Sequence, residues 1–339
     1  MSVTIEHEKK LSPLTTFKVG GYAEYFVDVH TNDEVIQAVA YAKEHGLGIK
    51  ILGAGSNVLV SDGVVSGLVI HICTKGVTQT VEGEYVLMTA CAGETLDDIV
   101  AYTVEHNWWG LENLSHIPGS VGATPVQNVG AYGVEVRDCI ESVTVFNIEK
   151  NTFETLNNEE CQFGYRDSLF KKAEGKKYIV MEVTYRLSLT PNPKLEYRDL
   201  QNYFHDATPS LTEIRDAVIE IRSKKFPDWN EVGTAGSFFK NPVITAERFK
   251  ALQEKYQDLP GYVTDTGSVK IPLGWILDKV LALRGLQEGN VGTYKEQALV
   301  LINCGNATAQ EIQSFANSII AKIKNTMGIV VEWEVTKFE

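Results

Sequence analysis

The chain has 339 residues, 44% hydrophobic and 22% charged, an ordinary globular balance with room for about two to three domains. Its formal net charge of -13, with no Lys/Arg cluster, excludes a general nucleic-acid or anionic-membrane surface, because counterion release needs grouped cations. The five cysteines, Cys73, Cys91, Cys139, Cys161 and Cys304, form no C-x-x-C pair and read as buried thiols of a reducing compartment. Met1 to Lys10 is charged and carries no apolar signal segment, so a cytoplasmic protein without a membrane span is expected.

In chain order, Ala23 to Val29 is an aromatic and branched strand candidate. Thr31-Asn32-Asp33-Glu34 follows as a capping box, with Val35, Ala38, Val39 and Ala42 at helical spacing and Gly46 as the stop. Ile49 to Leu52 is a short buried strand, which completes a βαβ opening. Gly53-Ala54-Gly55-Ser56-Asn57 starts like a dinucleotide fingerprint, but Val58 takes the third glycine position and Val58-Leu59-Val60 reads as a strand. What survives is a backbone nest able to hold a phosphate, with a plain strand-to-strand turn as the alternative.

Tyr85 to Ala92 is a strand, and Thr95-Leu96-Asp97-Asp98 caps a helix reaching Asn107. The stretch Ile117 to Gly133 then holds four glycines and two prolines with no periodic apolar pattern, and no charge occurs between Glu112 and Glu135. Glycine loses the most backbone freedom on folding, so such a run suits a ligand lying against the main chain better than a floppy surface loop. Strands Ile140 to Ile148 and Tyr178 to Leu189 flank the turn-like Phe163-Gly164-Tyr165-Arg166-Asp167-Ser168, and Leu211 to Lys225 is an amphipathic helix. Phe226-Pro227-Asp228-Trp229 breaks that helix at a domain boundary. Beyond it lie a short strand around Ser237 to Phe239, helices Thr245 to Tyr256 and Leu273 to Leu283, strand Ala298 to Asn303, helix Thr308 to Met327 and strand Ile329 to Val335.

Three places could carry chemistry. Ser237 in Gly236-Ser237-Phe238-Phe239-Lys240-Asn241-Pro242 is no nucleophile elbow, since Phe239 replaces the second glycine of G-x-S-x-G; a simple turn accounts for it as well as a pocket does. Glu332 and Glu334 share one face of the terminal strand, where most carboxylates are only solvated. Arg166 beside Asp167 is ordinarily a turn ion pair of small worth. The seven histidines do not cluster at ligand spacing, so no catalytic metal is expected.

The two glycine loops, Tyr165-Arg166-Asp167-Ser168, Gly236 to Pro242 and the terminal Glu-x-Glu-Val occur here in one order. In this the chain resembles the UDP-N-acetylenolpyruvoylglucosamine reductases (UDP-N-acetylmuramate dehydrogenases), over nearly its whole length. Leu195-Glu196-Tyr197-Arg198-Asp199-Leu200 and the Tyr262 loop match the longer of the two types. The resemblance implies an α+β protein: a two-part FAD-binding domain of the vanillyl-alcohol-oxidase/PCMH type and a smaller α+β substrate-binding domain. The expected boundaries are 1–75 (with 336–339), 76–226 and 227–335.

It also implies non-covalent FAD, with NADPH as co-substrate and a UDP-sugar enolpyruvyl ether as substrate. FAD would lie on Gly53, Ala54, Gly55, Ser56, Asn57, Pro118, Gly119, Ser120, Gly122, Asn128 and Gly130. By the same matching Ser237 is the proton donor, with Arg166 and Glu334 stabilising the intermediate, and Tyr132, Tyr197, Lys225, Asn241, Tyr262 and Gln297 contact the UDP-sugar. Trp333 stands where the family commonly has proline, which favours Glu334 and leaves Glu332 open. A monomer is expected. A related flavin-dependent alcohol oxidase and a non-catalytic nucleotide-sugar binder are the alternatives.

Overall fold

Period-two burial builds the largest sheet. Along Tyr178–Ser188 the side chains of Ile179, Met181, Val183, Tyr185 and Leu187 are buried, while Arg186 is exposed. In the computed structural model, which describes residues 3–205 and 207–339, this strand is central to a five-stranded antiparallel sheet. It pairs with Ile140–Asn147 through Val143↔Val183 and with Tyr85–Cys91 through Val183↔Ala90. Thr152–Asn157 and Val77–Glu82 are the outer strands.

A second sheet takes the order Glu6–Lys10, Tyr22–Val29, Val64–Ile72, Ile49–Leu52, the last two being parallel. The connecting helix Asn32–Glu44 begins where Thr31 Oγ1 accepts from the Glu34 amide, and it buries Val35, Ala38, Val39 and Ala42. Glu34 caps the His30 amide, so the expected box is satisfied one residue early. Both sheets bury their apolar faces in one core that runs from Val27 and Leu68 to Met88, Val143 and Tyr185.

The chain divides into two units: residues 1–9, 23–54 and 66–223 form one, and 10–22, 55–65 and 224–339 the other. In the first, helix Leu211–Lys225 turns Leu211, Ile214, Ala217 and Val218 onto Val104, Trp109, Tyr132 and Leu200. The second has a four-stranded antiparallel sheet ordered Gly233–Ser237, Val300–Asn303, Val291–Thr293, Gln287–Glu288. Its long helix Ala309–Met327 is delimited by a Thr308/Glu311 capping box and by Gly328 at φ 64°, and it buries Ile312, Phe315, Ile319 and Ile323.

Three expectations are corrected in detail. Thr95 precedes helix Leu96–Glu105 without a side-chain cap, and Asp97 in the first turn accepts from the His116 amide and Arg215. The helix expected over Leu273 to Leu283 is a turn at Leu273–Trp275 continued by a π turn over Ile276–Val280. The strand expected at Ile329 to Val335 is extended chain with one bridge, Trp333 to Phe239; the ladder forms at Thr336–Phe338, parallel to Val58–Val60. Burial still alternates there, since Val331 and Val335 are inside and Glu332 is exposed.

Candidate active site

The first glycine turn follows strand Ile49–Leu52. A Cβ on Gly53 would stand 2.4 Å from Ser120 Oγ, and one on Gly55, at φ +62°, would stand 2.1 Å from the Leu14 carbonyl. Only glycine lets the chain pass both points. Among the described residues, the consecutive amides of Ala54, Gly55 and Ser56 donate no hydrogen bond to the protein. A run of this kind is an anion-binding concavity. Asn57 Nδ2 donates to the Glu334 carbonyl at 3.2 Å, and the Asn57 carbonyl accepts from the Thr336 amide.

The second loop is pinned rather than floppy. The Gly119 carbonyl accepts from the Leu96 amide, while the amides of Val121 and Gly122 donate to Glu94 and Ala92. A Cβ on Gly122 would meet the Ala92 Cβ at 2.6 Å. Ser120 is buried, and the amides of Gly119 and Ser120, like those of the first turn, donate to no protein group among the described residues. Pro118 precedes them half-buried.

Asn128, fully buried at φ 47°, spends its side chain inside the protein: Nδ2 donates to Glu135 and the Gly164 carbonyl, and Oδ1 accepts from the Arg137 amide. Its backbone carbonyl and that of Gly130 accept from Arg166 Nη1 at 3.4 Å and Nη2 at 2.9 Å. Arg166 sits at φ 52° in a turn closed by reciprocal Gly164 and Asp167 backbone bonds, with its guanidinium over the Tyr165 ring. The turn therefore aims the fork at the glycine loop, where the Asn128 and Gly130 carbonyls receive it.

Tyr132 is buried at φ 49°, its ring edge-on to Tyr197 at 5.3 Å. Burial pushes its phenol up to about 12, although the hydrogen-bonded Arg222 guanidinium pulls the other way. Arg222 itself is buried, which lowers its pKa, and its Nε donates to the His116 carbonyl. Sequence reading missed two members of this cluster. Arg222 was hidden as one basic residue on an amphipathic helix. Asn113, 1% exposed, donates from Nδ2 to the carbonyls of Tyr132 and Lys194, so it ties the glycine loop to the segment before Tyr197; its Oδ1 is buried with no hydrogen-bond partner.

In the second unit Ser237 ends strand Gly233–Ser237 after a register shift between Thr234 and Ser237, with Gly236 at φ +72°. A bulge of this kind re-aims the following side chain. Phe238 is fully buried, edge-on to Phe17, Phe239 and Trp333. Its carbonyl accepts from the Glu334 amide at 2.9 Å, which brings the extended segment carrying Glu334 alongside the residue that follows Ser237. Glu332 instead points outward, its side chain 73% exposed, and pairs with Lys240 at 3.2 Å.

Asn241 Oδ1 accepts from the Leu273 amide, and Gln297 Oε1 lies where a Gly274 Cβ would come within 2.9 Å, so both flank the start of that helix. Tyr262 is exposed on the short strand Tyr262–Val263, Tyr197 is exposed at the start of helix Arg198–Phe204, and Lys225 ends helix Leu211–Lys225. Arg166, Tyr132 and Tyr197 belong to the first unit; Ser237, Glu334, Lys225, Asn241, Tyr262 and Gln297 belong to the second.

Two family models match: an FAD binding domain over residues 23–156 and the C-terminal domain of UDP-N-acetylenolpyruvoylglucosamine reductase over 228–338. The chain is 38% identical to the UDP-N-acetylenolpyruvoylglucosamine reductase of Porphyromonas gingivalis over 334 residues, covering 98% of each. It is 37% identical to that of Neisseria gonorrhoeae, covering 98% of this chain and 99% of the other. Among solved structures it is similar to the reductase of Thermus caldophilus, with a TM-score of 0.68 at 24% identity over the full length of both. A solvent-stable cholesterol oxidase shares the fold at a TM-score of 0.51 and 11% identity, covering 99% of this chain and 87% of that one. The expected fold class, α+β with an FAD-binding domain of the vanillyl-alcohol-oxidase/PCMH type and a substrate-binding domain, stands. A chain 38% identical to such a reductase over 98% of its length, and matching the reductase's own C-terminal domain, belongs to the UDP-N-acetylenolpyruvoylglucosamine reductase family.

Proposed function

We propose that the chain is an FAD-dependent reductase that uses NADPH to convert UDP-N-acetyl-3-O-(1-carboxyvinyl)-glucosamine to UDP-N-acetylmuramic acid in peptidoglycan synthesis. The observation that carries this reading is the joining of an FAD-binding half to the reductase's own C-terminal domain in a chain that covers its relatives end to end. The residues present suit the cofactor: two glycine loops hold amides without protein acceptors, and Cβ atoms at Gly53, Gly55 and Gly122 would fill the space the loops need. FAD would be held by Gly53 to Asn57, Pro118 to Ser120, Gly122, Gly130 and the loop that Asn128 shapes. When bound, it supplies hydride transfer, from NADPH and then to the vinyl carbon of the substrate.

The chain's own residues supply the rest. Hydride addition leaves an enolate-like charge beside the substrate carboxylate, and Arg166 offers a planar cationic fork whose direction is fixed by the Asn128 and Gly130 carbonyls. Ser237 delivers the proton to carbon; its bulge and the αL turn at Gly236 support that role. Glu334 is the assisting carboxylate, and what favours it over Glu332 is its amide bond to the Phe238 carbonyl, against the exposed Glu332–Lys240 pair. Tyr132, Tyr197, Lys225, Asn241, Tyr262 and Gln297 bind the UDP-sugar.

We infer that the functional division runs 1–75 (with 336–339) and 76–226 for FAD and 227–335 for substrate. The enzyme acts as a cytoplasmic monomer; no described helix is long and apolar enough to cross a membrane. The test is NADPH oxidation by purified, yellow protein. Oxidation should require the enolpyruvyl UDP-sugar, and acid precipitation should release all the flavin; substrate-independent turnover or colour left in the pellet would refute the reading.

A further inference from the structure

The face of the first unit's smaller sheet opposite its core carries a group of metal-ligating side chains that the reductase chemistry does not use. Val27 and Val29 on strand Tyr22–Val29, and Ile70 and Ile72 on the neighbouring strand Val64–Ile72, point into the core. Alternation therefore turns Asp28 and His71 to the other face. Cys73, two residues beyond His71, stays on that face because its amide donates to the Val29 carbonyl at 2.8 Å and prolongs the ladder.

Three donor atoms converge there. His71 Nδ1 lies 2.6 Å from Asp28 Oδ1 and 3.3 Å from Cys73 Sγ, and Sγ lies 3.7 Å from Oδ1. Tetrahedral zinc with bonds of about 2.0–2.3 Å sets neighbouring ligand atoms about 3.3–3.6 Å apart. The Sγ–Nδ1 distance of 3.3 Å falls in that range, and the Sγ–Oδ1 distance of 3.7 Å lies just above it. The Asp28–His71 edge has to open by less than about 1 Å, as happens when a proton shared by two ligands gives way to a metal.

We propose that Asp28, His71 and Cys73 form a binding site for a thiophilic divalent cation, Zn²⁺ by preference. A thiolate, an imidazole and a carboxylate are a borderline-soft set that suits Zn²⁺ and Co²⁺ and disfavours Mg²⁺ and Ca²⁺. On binding, the Cys73 thiol releases its proton, Nδ1 and Sγ each form a bond to the metal, and the imidazole keeps its single proton on Nε2. The exposed Asp28 leaves room on the solvent side for water as the fourth ligand, while His71 is more covered. The site bridges strand Tyr22–Val29 to the residue that leaves strand Val64–Ile72. Sequence spacing does not disclose it, because His71-x-Cys73 matches no ligand motif and Asp28 comes from another strand.

The test is a titration of the flavin-loaded protein with Co²⁺ and Zn²⁺. Co²⁺ should give a thiolate-to-metal charge-transfer band at one equivalent per chain, and Zn²⁺ should displace it. His71→Ala, Cys73→Ser and Asp28→Asn should each weaken binding by about 100-fold or more, beyond the loss of an outer-shell partner. Circular dichroism and metal-free NADPH turnover should match the parent, since none of the three belongs to the reductase site. No charge-transfer band in the parent, or an undiminished band in Cys73→Ser, would overturn the proposal. Mg²⁺ competing as well as Zn²⁺ would do the same.

Discussion

The Glu334 amide donates to the Phe238 carbonyl at 2.9 Å, so the carboxylate-bearing residue is held against the residue that follows Ser237. Phe238 is fixed in turn by three aromatic neighbours, Phe17, Phe239 and Trp333. Trp333, the residue between the two glutamates, packs edge-on to Phe238 at 4.8 Å and bridges to Phe239, a packing role that proline could not fill with its ring. The pair is thus a rigid product of core packing, and rigidity is what a positioned proton donor needs.

Gly122 tests the cradle. Its substitution by alanine drives a methyl into Ala92 Cβ at 2.6 Å, with backbone behind it at 3.2 Å. Overpacking of this kind costs about 1–3 kcal/mol. Gly122→Ala should lower stability in urea by that amount and reduce the flavin-to-protein ratio on purification. Gly122→Ala with Ala92→Gly should recover most of both, since the partner methyl is then gone.

Asp97 controls how the second loop is entered. It accepts from the His116 amide at 2.6 Å and from both Nη atoms of Arg215, at 2.7 and 3.2 Å. Burial alone would raise its pKa, but the Arg215 bond and the His116 amide outweigh that, and the net shift is downward from 3.8. A depressed carboxylate contributes stability above its unfolded value and loses it as pH falls through the folded value. Asp97→Asn should therefore cost about 1–3 kcal/mol at neutral pH, with the gap to the parent closing under acid. Urea midpoints across the pH range measure it; a gap that does not change with pH would rule out the ion pair.

Local signals announced much of this structure and none of its long-range pairing. Helix Ala309–Met327 was legible because a cap, an apolar stripe and a terminal glycine agree. Val77–Glu82 and Thr152–Asn157 were not, since both are edge strands with mostly exposed side chains and so lack the alternation that marks a half-buried strand. The cost of glycine flagged the second loop, while the reasons for Gly53, Gly55 and Gly122 lay in distant contacts with Ser120, Leu14 and Ala92. Arg166 looked like half of a turn ion pair; only the fold shows its guanidinium bound to the carbonyls of Asn128 and Gly130.

Tyr197 and Tyr262 are expected to order over the UDP-sugar. Both rings are exposed, and Tyr197 already rests edge-on against Tyr132 at 5.3 Å. Phenylalanine keeps that packing and removes the hydroxyl. Tyr197→Phe and Tyr262→Phe should each raise KM for the UDP-sugar by about tenfold, the worth of one hydrogen bond, with a smaller change in kcat. Steady-state kinetics showing both constants unchanged in both variants would refute the lid.

Ser237 carries the sharpest prediction, because its segment offers a hydroxyl with no histidine near it in sequence to activate a nucleophile. Reduction of the flavin by NADPH does not use the Ser237 proton, whereas completing the product does. The two half-reactions should therefore separate in Ser237→Ala: bleaching by NADPH near the parent rate, and reoxidation by the enolpyruvyl substrate slower by about two to four orders of magnitude, the worth of a positioned general acid. Ser237→Cys should keep more activity, since a thiol still donates. Glu334→Gln should slow the same half-reaction and Glu332→Gln should leave it alone, because the exposed Glu332 spends its charge on Lys240. Stopped-flow absorbance follows both phases. A Ser237→Ala enzyme reoxidised within about threefold of the parent would remove Ser237 from proton delivery and pass that role to Glu334 or a bound water.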